Sequence, residues 1–414
     1  MSGIRNRALM GGLALVAAAT MCAVPVSAKV TLVNYFRGWG ELNKMWAEVS
    51  TAFEKKHPDV KVKIVNVPYG EYWVKLETMI AAGTPPDMVF MESTRFPNFV
   101  RKRLMRDLTD LIKADKSVKP ADFYPEALDL FTYRGRIYGL PNDLAIIIPA
   151  YNKTLFAQGG VSEPTDAWTS GDLLEMAKKL TRDSNGDGKP ETWGLTTYPW
   201  EVAVYASGGH IADNPDNPSK CVLNSVEAVG ALEWVANLFL RHKVVGGDFL
   251  SGKAAMTVIG HWDIPQYAKQ AKFKWDVIGS PKFQRRATMN FGSGFMIPSN
   301  SRHPKEAWEL AKFYAGVEAQ RILAREGFGT PALRTIGESD VYLAQRPPES
   351  QGAYTKAIGY AVKRPFTGQF DLMEQVLNLE LTKLLQGKAS ARATGDKLSV
   401  EVSKIFARDF AKAR

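Results

Sequence analysis

Hydrophobic positions near the start of the chain switch repeatedly between two periods. Val30 to Phe36 is an apolar-rich run and reads as a strand. Leu42, Met45, Trp46, Val49 and Phe53 then recur at helical spacing and mark one apolar face, which His57-Pro58 stops. Val60, Val62 and Ile64 alternate with Lys61 and Lys63, a strand pattern. Trp73, Leu76 and Ile80 predict a second helix, ended by Gly83 and Pro85-Pro86. Met88 to Met91 is a continuous apolar run, as expected of a strand buried on both faces. Strands alternating with helices of this length predict an α/β fold with a largely parallel sheet.

A second block follows the turn at Gly139 to Asp143. It predicts a strand at Ala145 to Ile148 and helices near 172–180 and 226–240, with a Gly/Asn/Pro-rich loop at 207–219 between the helices. Ala254 to Ile259 and Phe291 to Ile297 are further strand candidates. A helix carries Ala307, Trp308, Ala311 and Tyr314, and the tail is helical near 370–386 and 396–411.

The first 28 residues have a different character. Arg5 and Arg7 precede an uncharged apolar run, Ala8 to Val24, and Val26-Ser27-Ala28 offers the small residues a signal peptidase reads. The run is shorter than a membrane span needs, so a leader cleaved after Ala28 is expected, giving export to the periplasm. Cys22 falls in the leader. That leaves Cys221 alone, without an internal disulfide partner. No later segment reaches transmembrane length, so a soluble product is expected. The formal net charge of +10 is spread without a dense basic run, which gives no footprint for nucleic acid. The length suggests two domains.

Several patches resemble one family, the bacterial extracellular solute-binding proteins of carbohydrate ABC importers related to maltose-binding protein. They are "FEKKHPDVKV" (53–62), "LETMIAAGTPPDMVFME" (76–92), "GRIYGLPND" (135–143), "AYNKTLFAQGGV" with "PTDAW" (150–168), "GKAAMTVIGHW" (252–262) and "PKEAWELAKFYAGVEAQRILAREGFGTPA" (304–332). Their shared order over nearly the whole chain after the leader is more specific than any one of them. The resemblance implies a two-lobe periplasmic-binding-protein fold with a hinge and discontinuous lobes: 29–141 with 290–333, and 142–289 with 334–414. It implies a carbohydrate ligand in the cleft, no cofactor, no catalysis, and delivery by a monomer to membrane permease subunits served by a separate ATPase.

Candidate ligand contacts are residues able to grip a sugar. An indole face can stack on the C–H face of a sugar ring, and carboxylates accept strong hydrogen bonds from hydroxyls. Trp262, at the end of an apolar run, fits the first role with Asp263 beside it; alternatively Trp262 caps a core and Asp263 starts a turn. Trp39 lies just beyond the first strand, on the side where open α/β sheets bind ligands. Glu41 comes next and equally suits the start of a helix. Glu92 and Ser93 end the strand at 88–91 at the same crevice, or form a solvated turn. Asp143 lies in the presumed crossing segment, or is a turn former. Trp200 is a second stacking candidate among ten Trp residues. Gly292 and Ser293 resemble the family's glycine-rich cleft strand. Arg364 aligns loosely with a family Arg-Pro, or is a surface ion-pair residue.

Asp183, Asn185 and Asp187 have calcium-loop spacing with Gly188 at the turn, but Gly194 stands where the loop needs a bidentate Glu. "GDFLSGKA" (247–254) misses the phosphate-loop pattern, because Ala254 replaces Ser or Thr and a strand comes after it. The five histidines show no metal spacing, and no Gly-x-Ser-x-Gly elbow occurs. Three rivals remain: a sugar phosphate or polyol ligand on the same fold, with Arg37, Arg95 and Arg364 available to an anion; an exported carbohydrate-processing enzyme; and a sensing role.

Overall fold

The computed structural model describes residues 29–38 and 40–411. The expected leader, residues 1–28, lies outside them. The chain opens with β1 (Val30–Arg37), α1 (Gly40–Lys56), β2 (Val60–Val67), α2 (Tyr69–Ala81) and β3 (Met88–Glu92). Short helices lead to β4 (Gly139–Pro141), β5 (Asp143–Leu144) and β6 (Ile147–Asn152). Next come α3 (Ser170–Leu180), β7 (Trp193–Leu195), α4 (Trp200–Ala206), α5 (Val226–Leu240), β8 (Ala254–Gly260) and β9 (Trp275–Val277). The chain continues with β10 (Thr288–Met289), β11 (Ser293–Met296), α6 (Pro304–Tyr314), α7 (Val317–Glu326), β12 (Thr330–Pro331) and β13 (Ala361–Val362), and ends with α8 (Phe370–Leu385) and α9 (Ala391–Ala411).

Two principal sheets form, ordered β2-β1-β3-β11-β4 and β9-β6-β8-β7. Both are mixed, where the sequence predicts a largely parallel sheet. β1 pairs in parallel with β2 and β3, but β11 is antiparallel to β3 and to β4. The reason is connectivity. β11 enters the first sheet directly from the second body, so no βαβ crossover dictates its direction. In the second sheet, only β7 and β8 run parallel.

The second sheet lies between two cores; β6 alternates between them with period two, whereas β8 does not keep strict alternation. Ile148 and Ala150 of β6 and Ala254 and Ile259 of β8 join the core that reaches from the first body. Ile147 and Tyr151, with Ala255 and Met256, face the core built by α3, α4, α5, α8 and α9. Two local readings are corrected. The β6 strand starts later and runs through Pro149, which pairs with Val258 and, lacking an N–H, serves the ladder through its carbonyl, which accepts from the Ile278 N–H at 2.9 Å. In α2 the buried aromatic is Tyr72, with Trp73 half-buried, because the Tyr72 hydroxyl donates to the carbonyls of Tyr35 (2.9 Å) and Phe90 (2.7 Å).

Two small strand pairs, β5 with β12 and β10 with β13, lie outside the principal sheets. Among the described residues no helix is long and apolar enough to cross a membrane.

Candidate functional site

Where the ends of β1 and β3 face the second body lies a cavity of about 440 Å³. Arg37 ends β1 and Glu92 ends β3, and parallel pairing brings both to the same edge. Their side chains pair at 2.8 Å and both line the cavity. The Arg37 guanidinium also lies 4.6 Å from the Tyr69 ring centroid. Burial pushes the Glu92 carboxyl up, against the opposing pull of Arg37 and Arg95.

The floor comes from the crossing segments. Asp143, in β5, is opposite Pro331 of β12, and the preceding Asn142 carbonyl accepts from the buried Gln320 amide at 2.5 Å. Asp143 Oδ1 accepts from the Ser293 backbone N–H (2.6 Å) and hydroxyl (2.7 Å). Burial pushes the Asp143 carboxyl up to about 6, despite those hydrogen bonds and the nearby Arg37. Gly292 is required by close approach: a Cβ there would stand 2.4 Å from Leu130 Cδ1 and 2.6 Å from the Asp143 carbonyl oxygen. Asp143, Gly292 and Ser293 all line the cavity.

The opposite wall belongs to the second body. β8 ends at Gly260, and a Cβ there would meet the Trp262 indole at 2.3 Å. The missing side chain therefore lets the indole fold back over the strand end, where it lines the cavity edge-on to Phe291, 6.3 Å between centroids. Arg364 lies between the rings of Phe291 (5.1 Å) and Phe370 (5.4 Å). It pairs with Glu201 at 2.5 Å and Glu374 at 3.0 Å. Burial opposes its charge, but the two carboxylates outweigh burial and hold its pKa above the ordinary value.

Six sequence candidates thus meet around one cavity: Glu92, Asp143, Trp262, Gly292, Ser293 and Arg364. Trp39 lies outside the described residues. Four others are not among the cavity-lining residues. Glu41 is exposed in the first turn of α1 and pairs with Lys44. Trp200 begins α4 and packs on the core of the second body. Asp263 accepts from the Gly260 N–H at 3.0 Å and so caps the turn after β8; burial raises its pKa. The Ser93 hydroxyl donates to the Phe291 carbonyl at 2.6 Å.

Sequence reading missed Tyr69, Phe291, Phe370 and Glu374, all in the cavity wall. Phe370 and Glu374 are one helical turn apart in α8, a spacing indistinguishable in sequence from any amphipathic helix. At 183–187 the side chains serve the loop itself: Asp183 accepts from the N–H groups of Gly186 and Gly188, and Asn185 and Asp187 from those of Asp187 and Lys189. No group of three His, Cys, Asp or Glu among the described residues is arranged to hold a metal.

Comparison with known proteins gives three findings. The family model described as "Bacterial extracellular solute-binding protein" matches residues 39–321. The galactooligosaccharide-binding protein of Bacillus subtilis (strain 168) is 23% identical over 364 residues, covering 83% of this chain and 82% of that protein. The arabinooligosaccharide-binding protein of the same organism is 26% identical over 302 residues, covering 66% and 67%. Among solved structures, the ABC substrate-binding protein Lmo0181 from Listeria monocytogenes, in complex with cycloalternan, superposes with a TM-score of 0.82 at 27% identity over 92% of this chain and 99% of that one. The GacH receptor of Streptomyces glaucescens, at 21% identity and a TM-score of 0.78 over 92% and 99%, shares the fold.

Proposed function

This chain belongs to the bacterial extracellular solute-binding protein family, and from that premise we propose that it captures a sugar or oligosaccharide in the cleft and delivers it to an ABC importer. The observation that carries the reading is the wall of the 440 Å³ cavity, where the Trp262 indole and the Phe291 and Phe370 rings lie together with the Glu92, Asp143 and Glu374 carboxylates. The volume falls in the usual range for small-molecule sites, about 300–1,000 Å³. The sugar relatives agree in ligand class, as binding proteins rather than enzymes.

In this mechanism a sugar ring stacks on Trp262, and its hydroxyls donate to the carboxylates of Asp143, Glu92 and Glu374. The Gly292 backbone lies close enough to touch it. The ligand contacts both lobes only when they are closed, so binding favours closure. Closure sets the two outer surfaces in the register that permease subunits recognise, and a separate ATPase drives transport. No bond in the sugar is broken. The lobes are taken as 29–141 with 290–333 and 142–289 with 334–414, a division supported by the strands each sheet recruits. The protein acts as a monomer in the periplasm after cleavage behind Ala28, a location consistent with an extracellular family.

A thermal-shift screen against neutral sugars, sugar phosphates and polyols tests the ligand class, because a ligand of the folded state raises its melting point. Trp262→Ala is expected to abolish the sugar-induced shift while leaving the ligand-free melting curve nearly unchanged. A large loss of intrinsic stability would assign the indole to the core, and a protein shifted by no carbohydrate would overturn the reading.

A further inference from the structure

We infer that Glu374 makes this cleft selective for uncharged sugars, by occupying Arg364 on the cavity side. The inference rests on the reading that the cleft holds a sugar. A uronate or sugar phosphate is normally held by an arginine whose fork of N–H donors is open to the anion. Both arginines in the cavity wall already have a carboxylate, Arg37 with Glu92 at 2.8 Å and Arg364 with Glu201 and Glu374, and nearby Arg95 has Asp371.

Arg364 is held by two carboxylates. Phe291 and Phe370 lie over the guanidinium, leaving its edge for hydrogen bonds, and α4 and α8 each send a carboxylate to it. The two carboxylates are not equivalent. Glu201 is buried and is not in the cavity wall. Glu374 lines the cavity beside Arg364, with its side chain 27% exposed. Glu201 therefore anchors the arginine, and Glu374 stands between its charge and the ligand. The cavity wall carries Glu92, Asp143 and Glu374 against Arg37 and Arg364, a net negative surface before Glu201 is counted. An anionic sugar meets repulsion there at short range, where water screens poorly. A neutral sugar meets an acceptor in Glu374 and, one turn earlier on α8, the ring of Phe370.

The test compares binding of neutral mono-, di- and trisaccharides with that of the matching uronates and 6-phosphates, by calorimetry on wild-type protein and Glu374→Gln. The wild type is expected to hold a neutral sugar at least about tenfold more tightly than its acidic counterpart, the scale of one like-charge contact in a desolvated site. Glu374→Gln is expected to melt like the wild type without ligand, since Glu201 still pairs Arg364. It should lose several-fold in affinity for the neutral sugar and bind the acidic one to within a few-fold of it. Glu374→Ala repeats the comparison should the glutamine variant melt low. Equal wild-type binding of neutral and acidic partners, or equal losses for both in the variants, would overturn the role of Glu374. Absence of wild-type binding to any sugar would instead remove the sugar reading, and this inference with it.

Discussion

Asp143 shows how much a single residue's role depends on what surrounds it. In sequence it is a turn former between a proline-containing segment and a hydrophobic run. In the structure it is a buried carboxylate in a crossing strand, held by two bonds from Ser293 and facing Arg37 and Glu92. Burial pushes its pKa up to about 6, whereas an unfolded aspartate titrates near 3.9. Between those values the folded protein holds a proton that the unfolded chain releases. The stability from this group is therefore complete below about pH 4 and is lost as pH rises through about 6. Relative to Asp143→Asn, the wild type should lose on the order of 2 kcal/mol between pH 4 and 7. Urea unfolding of both proteins at three pH values measures the difference. Neutral His261, whose pKa burial depresses to about 3, pulls the other way in both and cancels. A difference that does not change with pH would mean the carboxyl titrates normally.

At the scale of the element, the end of β8 turns an ordinary buried strand into one wall of a cavity. The run Ala254 to Ile259 is legible as a strand, and the structure places it at Ala254–Gly260. The turn beyond the strand is only partly legible. Trp262 next to Asp263 reads as two ligand groups, yet the carboxylate turns back to cap the strand's own backbone while the indole lines the cavity. Gly260 makes this possible, since any side chain would occupy the space of the indole ring. Gly260→Ala is expected to displace Trp262 and weaken sugar binding at least about tenfold, with overpacking costing about 1–3 kcal/mol of stability. Binding calorimetry and tryptophan fluorescence check it, and an unchanged affinity would exclude the indole from the ligand wall. Helix α8 makes the opposite point. Its existence is readable from apolar periodicity, but nothing in that pattern distinguishes Phe370 and Glu374 from the solvent-facing residues of any amphipathic helix.

At the scale of the whole molecule, groups from the two bodies meet across the cleft. Arg95, just after β3, pairs with Asp371 of α8 and lies 5.5 Å from the Trp73 ring and 4.9 Å from the Phe370 ring. Behind it, Lys363 bridges Asp129 and Asp216 at 2.5 Å each, and Phe366 stacks on Tyr133 at 4.6 Å. Asp371 is largely exposed, so Asp371→Asn should change unfolding by less than about 1 kcal/mol. The same change should favour separation of the bodies, raise the ligand-free radius of gyration in solution scattering and speed ligand release. Unaltered scattering and release would limit the pair to the surface. Local periodicity and chemistry sufficed to read the alternation of strands and helices, the apolar face of α1 and the residue types able to hold a sugar. The antiparallel entry of β11, the gathering of Glu92, Asp143 and Trp262 around one cavity, and the capture of Arg364 by two carboxylates came from the three-dimensional fold. Those facts depend on distances between segments far apart in the chain, and a one-dimensional pattern records which side of an element is apolar without recording what will cover it.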